Sequence, residues 1–380
     1  MLLFIRDFFD EHLFRLPGHH AMGFITFRTG VALIVAFIIA LAMGPWLIAY
    51  LRSLKAGQQI RDDQGAGAIS LKDMHKAKVG TPTAGGLMIV AALLASTLIL
   101  GDLSNLYVWL MIIVIVGFAF IGFLDDYLKI TKKNSKGLPG RYKLIGQMVL
   151  ATMVAGFMMI EPYPINYSLA PGAGNGGTSL ALPFLKDFWV NLGWFYLPFV
   201  FLVIAGASNG VNLTDGLDGL AIGVSIIATG AFTILTYLVS RADFAGFLLL
   251  PHVAGSGELC VVLGALIGGS MGFLWYNAHP AQVFMGDTGS LMIGGVLGTV
   301  AVITKSEALL VIIGGVFVIE TLSVMIQVTS YRLWKKRVFR MAPIHHHFEK
   351  CGWYEPQIIT RFYIIASLLA LFGLSTLRLR

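Results

Sequence analysis

The sequence is short of charge, of cysteine and of long polar stretches, and each shortage excludes something. Asp, Glu, Lys and Arg make up 12% of the 380 residues, about half the share found in a soluble domain. Two cysteines, Cys260 and Cys351, fall in different parts of the chain, which points away from a disulfide framework or a thiolate metal site. No polar stretch is long enough to bury a core of its own, so no soluble domain is inserted. No segment repeats along the chain. A cleavable signal is also missing, because no small-residue cleavage site follows a short apolar stretch. Residues 1–21 instead mix Arg6, Asp7, Asp10, Glu11 and Arg15 with aromatics, the pattern of an amphipathic segment lying on a membrane surface.

What abounds is apolar sequence. Hydrophobic residues reach 57% and the mean hydropathy is +0.79. Apolar runs of the length that crosses a bilayer, about 20 residues, recur from end to end. The sequence therefore predicts an all-α polytopic membrane protein, a single integral domain over residues 1–380. About ten spans are expected, at 22–51, 82–101, 106–128, 143–160, 188–208, 218–239, 257–275, 288–303, 307–333 and 359–378. The ninth run is long enough to be tilted, bent or extended beyond the bilayer. A β-barrel would show short alternating segments instead. The connection 161–187 is rich in Gly, Pro, Asn and Ser and reads as a turn-rich loop or hairpin.

Basic residues set the expected orientation. Arg52, Lys55, Arg61, Lys72, Lys76 and Lys78 follow span 1; Lys129, Lys132, Lys133, Lys136, Arg141 and Lys143 follow span 3; Arg332, Lys335, Lys336, Arg337, Arg340 and Lys350 follow span 9. The alternate connections carry few, namely Lys186, Arg241 and Lys305. The basic side is expected to be cytoplasmic and both termini periplasmic. Two further connections on the basic side, around 209–217 and 276–287, hold Asn and Asp in place of Lys and Arg.

Four acidic features mark the cytoplasmic helix ends. Asp125-Asp126 closes span 3 in Phe-Leu-Asp-Asp-Tyr; Asp215 and Asp218 precede span 6 in Asn-Leu-Thr-Asp-Gly-Leu-Asp-Gly; Asp287 precedes span 8 in Phe-Met-Gly-Asp-Thr-Gly-Ser. Carboxylates at bilayer depth are costly and are rarely there without a partner or a task. Plain capping of the following helix by Asp215 or Asp287 is an open alternative, as is a hydrated helix end at Asp125-Asp126 beside Lys129. Together the three connections suit a nucleoside diphosphate and a divalent cation. Mg²⁺ prefers one or two carboxylates plus phosphate oxygens and water. Glycines beside the aspartates let backbone N–H groups approach phosphates, and Lys78, Lys129 and Lys133 supply positive charge.

Two more segments stand out. Lys-Val-Gly-Thr-Pro-Thr-Ala-Gly-Gly, residues 78–86, opens span 2 with residues suited to phosphate contact at a helix N-terminus, or to a turn and an ordinary cap. Ala-Pro-Ile-His-His-His-Phe-Glu lies in the loop 334–358. Three adjacent histidines seldom point at one ion, so hydrogen bonding to a sugar, peptide or phosphate suits His345, His346 and His347 better than zinc. A solvated basic loop is the bland alternative.

At these motifs, taken in order over essentially the whole chain, the sequence closely resembles the phospho-N-acetylmuramoyl-pentapeptide transferases. These form a branch of the polyprenyl-phosphate N-acetylhexosamine-1-phosphate transferase superfamily (glycosyltransferase 4). The His-His-His segment separates this branch from the GlcNAc-1-phosphate transferases. The resemblance implies transfer of phospho-MurNAc-pentapeptide from UDP-MurNAc-pentapeptide to undecaprenyl phosphate. The products are lipid I and UMP, in the first membrane step of peptidoglycan synthesis. It implies Mg²⁺, with Asp287 as the main ligand, and Asp125 and Asp126 as an acidic pair near the lipid phosphate. Lys78, Thr83, Lys129, Lys133, Asn212, Asp215 and Asp218 would belong to the substrate or catalytic site. Asn277 and Phe284 would form the uridine pocket, with Phe284 stacked on the base. Gln327, His345, His346 and His347 would border the sugar-peptide side. The same resemblance implies a homodimer in the bacterial inner membrane, in contact with membrane lipid and with no nucleic acid partner, its site facing the cytoplasm.

Two chemical schemes fit. An aspartate attacks first and forms a covalent intermediate, or Asp125 deprotonates the lipid phosphate, which attacks directly; direct attack is the simpler. Two rival functions stand beside this reading. A sibling enzyme would use UDP-GlcNAc. An ion-coupled transporter would also hold intramembrane carboxylates, but near the midplane, on broken helices within repeats.

Overall fold

The computed structural model describes residues 23–54, 80–132, 137–160, 165–166, 177–181 and 189–378. Thirteen helices lie among them: α1 (Ile25–Ser53), α2 (Gly86–Leu100), α3 (Leu106–Thr131), α4 (Gly140–Ile160), α5 (Tyr196–Thr214), α6 (Leu220–Ser240), α7 (Ala242–Leu248), α8 (Glu258–Asn277), α9 (Gly286–Ile303), α10 (Glu307–Ile313), α11 (Gly315–Trp334), α12 (Ile344–Lys350) and α13 (Glu355–Ser375). Four short strands, β1 (Ile165–Asn166), β2 (Ser179–Ala181), β3 (Trp189–Asn191) and β4 (His252–Val253), pair antiparallel as β1 with β4 and β2 with β3. The connection 161–187, read as a turn-rich loop or hairpin, lies mostly outside the described residues; its strand β2 pairs with β3 just beyond it. The N-terminal segment 1–21, and with it Lys78 and Lys133, lies outside the described residues.

Nine helices among the described residues are long and apolar enough to cross a membrane. The second expected span is shorter than the reading of 82–101, because Pro82–Gly85 lie outside the helix and α2 keeps 15 residues. The ninth run is broken. α10 ends at Ile313 and α11 begins at Gly315, where the pair Gly314-Gly315 interrupts an otherwise apolar helix. The helix α5 runs past the expected end of its span, through Asn209 and Asn212 to Thr214. Those amides are tolerated in a helix because neighbours satisfy them. Asn209 Nδ2 donates to Gln147 Oε1 on α4 at 2.8 Å, and Asn212 Nδ2 donates to Ser290 Oγ on α9 at 2.8 Å.

α9 is the centre of the bundle. Of its residues 94% are buried, against 28% of the most apolar stretch of α4 and of α11. Small residues make this possible. A Cβ on Gly295 would stand 2.7 Å from the Phe118 ring of α3, and one on Gly298 would stand 2.9 Å from Ile204 Cα of α5. A second close seam joins α8 to α1. Gly264 and Gly272 face Thr29 O and Ala40 Cβ, each at 2.6 Å from a built Cβ, while Ala32, Ala36 and Ala40 are fully buried. In lipid, such close backbone approach is what holds helices together. The outer faces of α1, α3, α11 and α13 expose large apolar side chains, including Ile34, Ile38, Val116, Phe120, Ile319, Met325, Leu368 and Leu371. An apolar surface of this extent fits a lipid environment rather than water.

Candidate active site at the start of the central helix

The first turn of α9 is where separate motifs meet. The segment before α2 pairs with the segment before α9. Phe284 N–H donates to Pro82 O at 2.8 Å, Gly85 N–H to Phe284 O at 2.9 Å and Gly86 N–H to Met285 O at 2.8 Å. Asp126 then caps α9 from another helix. Its Oδ1 accepts from Asp287 N–H at 3.1 Å; its Oδ2 accepts from Thr288 N–H at 3.0 Å and from Thr288 Oγ at 2.6 Å. A carboxylate there satisfies amides with no partner inside the helix and sits favourably at the positive end of the dipole. Gly286 must be a glycine, since its φ is +73° and a Cβ would stand 2.6 Å from Asp126 Oδ2.

Neither capping alternative for the other aspartates is realised. Asp287 is the second residue of α9, after Met285 in the cap position, and Asp215 follows the last residue of α5 while Gly219 precedes α6. Asp125 and Asp126 do not close their helix either. α3 continues for more than a turn, to Thr131, which brings Lys129 back onto Asp125.

Asp125, Asp126 and Asp287 are all buried, and each offers one oxygen to a common space, these atoms lying within 4.8 Å of one another. Two lysines close a ring of ion pairs over them. Lys129 Nζ lies 2.5 Å from Asp125 Oδ2 and 3.0 Å from Asp287 Oδ1. Lys143 Nζ, from the first turn of α4, lies 2.9 Å from Asp125 Oδ1 and 2.5 Å from Asp287 Oδ2. Leu138 N–H adds a 2.7 Å hydrogen bond to Asp125 Oδ1. Three hard oxygen donors in so small a space suit a hard divalent ion such as Mg²⁺. Asp215 faces the same group. Burial, and then the charges of Asp287 and Asp126, push its carboxyl up from 3.8 to about 8.

A second cluster adjoins. Asp218 N–H donates to Glu355 Oε1 at 2.8 Å, and Asp218 Oδ2 accepts from Ala281 N–H at 3.0 Å and lies 3.2 Å from His279 Nδ1. Asn277 braces this corner. It accepts from Gly219 N–H at 3.0 Å and donates to Val283 O at 2.8 Å. Phe284 and Thr83 are partly exposed beside it.

The three histidines point to three different partners. His345 is fully buried on α12, with Nδ1 3.1 Å from Glu320 Oε2 of α11 and its imidazole pressed against Gly216, next to Asp215. His346 Nδ1 lies 2.5 Å from Glu349 Oε2, while His347 Nδ1 accepts from Arg340 N–H at 3.1 Å. Gln327 braces the same loop. It accepts from Val338 and Phe339 N–H groups at 3.0 and 2.9 Å and donates to Phe339 O at 3.0 Å. The structure therefore gathers Thr83, Asp125, Asp126, Lys129, Asn212, Asp215 and Asp287 around α9. Asp218 and Asn277 lie at its flank, and His345 reaches it from behind. His346, His347 and Gln327 make their contacts within the loop.

The matches to known proteins agree with this arrangement. A family model described as glycosyl transferase family 4 matches residues 107–305. The phospho-N-acetylmuramoyl-pentapeptide-transferase of Maridesulfovibrio salexigens is 49% identical over 358 residues, 94% of this chain and 94% of that protein. The protein of that name from Pelobacter propionicus is 49% identical over 357 residues, with the same shares of both chains. That of Rhodopseudomonas palustris is 47% identical over 382 residues, all of both chains. The chain belongs to the phospho-N-acetylmuramoyl-pentapeptide-transferase family. The resemblance read from the motifs is thereby borne out. The glycosyl transferase family 4 match covers α3 to α9, hence both ends of the Asp125–Asp287 cluster, and stops before the histidine loop.

Sequence reasoning assigned no site role to Lys143, Thr288, His279, Glu355 or Glu320. Glu320 carried a usable signal, as a carboxylate within an apolar run. Lys143 carried only its place in a basic connection.

Proposed function

We propose that this chain transfers phospho-N-acetylmuramoyl-pentapeptide from UDP to undecaprenyl phosphate, releasing UMP. The observation that carries the reading is the meeting of Asp125, Asp126, Asp215, Asp287 and two lysines at the start of α9. It occurs in a chain matched end to end by the transferase of Rhodopseudomonas palustris. In the reaction an oxygen of the acceptor phosphate forms a bond to the β-phosphorus of the donor. The bond from that phosphorus to the bridging oxygen breaks, and its electron pair leaves with UMP. Little covalent chemistry falls to the protein, so positioning and charge neutralisation carry the rate.

Asp287, with Asp125 beside it, would hold Mg²⁺, which when bound neutralises charge building on the pyrophosphate oxygens. Asp126 keeps α9 and Asp287 in place and is fully engaged in doing so, which makes it a poor nucleophile. Direct attack by the acceptor phosphate therefore stands over a covalent phospho-aspartate, with Asp125 as the base available if the acceptor arrives protonated. Lys129 and Lys143 meet the donor's phosphates. Thr83 and Ala84 stand beside Gly286 at the approach, and Phe284 offers a ring for the uracil.

The motif-bearing end faces the cytoplasm in this reading, and two copies associate in the bacterial inner membrane. The purified protein should release UMP only when donor, undecaprenyl phosphate and Mg²⁺ are all present, and chelation should stop it. UMP release without acceptor, accompanied by a trapped phospho-aspartate, would replace direct attack by the two-step route. The orientation has its own test. Cys351 is exposed and Cys260 buried, so an impermeant maleimide should label Cys351 in inverted vesicles and not in right-side-out ones.

A further inference from the structure

The two lysines of the cluster stand where a divalent ion would bind. Each touches both Asp125 and Asp287, and together they contact both oxygens of both carboxylates. Asp126 is already engaged, because both of its oxygens accept from the start of α9. Mg²⁺ requires its oxygen ligands at about 2.0–2.1 Å. An ammonium on the same oxygens at 2.5–3.0 Å has no lone pair to share and repels the ion. Ammoniums and divalent ion therefore compete for these oxygens.

We propose that Lys129 and Lys143 are exchangeable counter-cations. They neutralise Asp125 and Asp287 until the divalent ion arrives, and then swing out toward the phosphates of the donor. The inference rests on the cation-dependent transferase reading above. Three features say that the lysines move, not the aspartates. The Asp125 side chain is 0% exposed and that of Asp287 12%, whereas Lys129 is 33% exposed and Lys143 19%. Lysine carries its charge on a flexible four-carbon stem. Two ammoniums carry the same charge as one divalent ion, so an exchange never leaves the buried carboxylates unpaired, which would be costly.

The test uses Mn²⁺ as the probe, with the full chain purified in detergent and free Mn²⁺ read by electron paramagnetic resonance. Lys143→Met and Lys129→Met should each bind Mn²⁺ about tenfold more tightly than wild type, while UMP release falls. Asp287→Asn should remove this binding and so identify the site. A second measurement avoids the variants. In wild type, Mn²⁺ should raise acetylation of Lys129 and Lys143 by an amine-reactive reagent at least about threefold, read by mass spectrometry, as their ion pairs open. Unchanged or weaker Mn²⁺ binding in both variants, or lysine reactivity that stays level or falls, overturns the exchange. If wild type binds Mn²⁺ and releases UMP in those experiments, only the exchange has failed. If it does neither, the transferase reading fails with it.

Discussion

At the end of the bundle away from the motifs, Arg28 on α1 grips Glu258 on α8 through a two-pronged contact of 2.5 and 2.7 Å. Backbone groups complete it, with Arg28 donating to Leu100 O at 3.2 Å and Asp102 N–H donating to Glu258 at 3.0 Å. Both side chains are almost wholly buried. Nearby chemistry is equally closed, since buried Lys305 donates to Gly177 O and to Tyr196 OH. At the motif-bearing end the same kind of attraction is built differently. Carboxylates outnumber and underlie flexible lysines that reach partly into solvent. A guanidinium fork locked on one carboxylate is a clasp. An ammonium shared between two carboxylates is a placeholder. Buried charge in a membrane protein is therefore not by itself a sign of function; what matters is whether a charge can be exchanged.

The contrast breaks most visibly through Asp287. Asp287→Asn should lower UMP release by at least about 10³-fold while the thermal midpoint in detergent moves little, because Asn matches Asp in size and its amide oxygen still accepts from a lysine. Near-normal turnover would make the motif-bearing end structural, like its opposite. Arg28→Met should do the reverse. It leaves Glu258 buried and unpaired, at a cost of about 3–5 kcal/mol, so the folded yield and thermal midpoint drop while turnover per folded molecule holds. Replacing both partners with Met should recover most of that loss, and a double variant as unstable as the single would refute the clasp.

Asp126→Ala sharpens the comparison inside the site, because Asp126 is a clasp among placeholders. Removing a cap costs about 1–2 kcal/mol, visible as a lower thermal midpoint, and releasing α9 should weaken Mn²⁺ binding at Asp287 as well. Wild-type stability in that variant would mean that the α9 amides find other partners.

The smallest effect is a pH dependence. The Asp215 carboxyl is pushed up from 3.8 to about 8, so the folded chain holds a proton that the unfolded chain has already released. Stability from this source is present at low pH and is lost as pH rises through about 8. With a chelator present, the wild-type thermal midpoint should decline between about pH 4 and 8, and Asp215→Asn should flatten that decline. An identical slope in both proteins would remove Asp215 as its cause.

Much of this was legible in the sequence because lipid imposes strict rules. Apolar runs located the helices, the basic connections divided them between two sides, and the aspartate motifs fell on one of those sides. Hydropathy misjudged places where polar groups are satisfied by other helices. α5 runs on through Asn209 and Asn212 because Gln147 and Ser290 complete their hydrogen bonds. α3 runs on past Asp125 because two lysines neutralise it. Such partners are set by packing, which spacing along one chain does not encode. For the same reason Asp126 and Asp125 look alike in sequence yet meet α9 amides in one case and lysines in the other. Asn277 and Gln327, read as substrate contacts, have their amides engaged in bracing the backbone.

Transfer from a MurNAc-peptide donor at the start of α9 is open to direct measurement. Its most direct test offers UDP-MurNAc-pentapeptide and UDP-GlcNAc together to the purified protein, with undecaprenyl phosphate and Mg²⁺. Lipid products are read by mass spectrometry and UMP by chromatography. One lipid-pyrophosphate product is expected, bearing MurNAc-pentapeptide, formed in step with UMP and lost with chelator or with Asp287→Asn. A GlcNAc-bearing lipid as the main product, or lipid product that persists in Asp287→Asn, would contradict it.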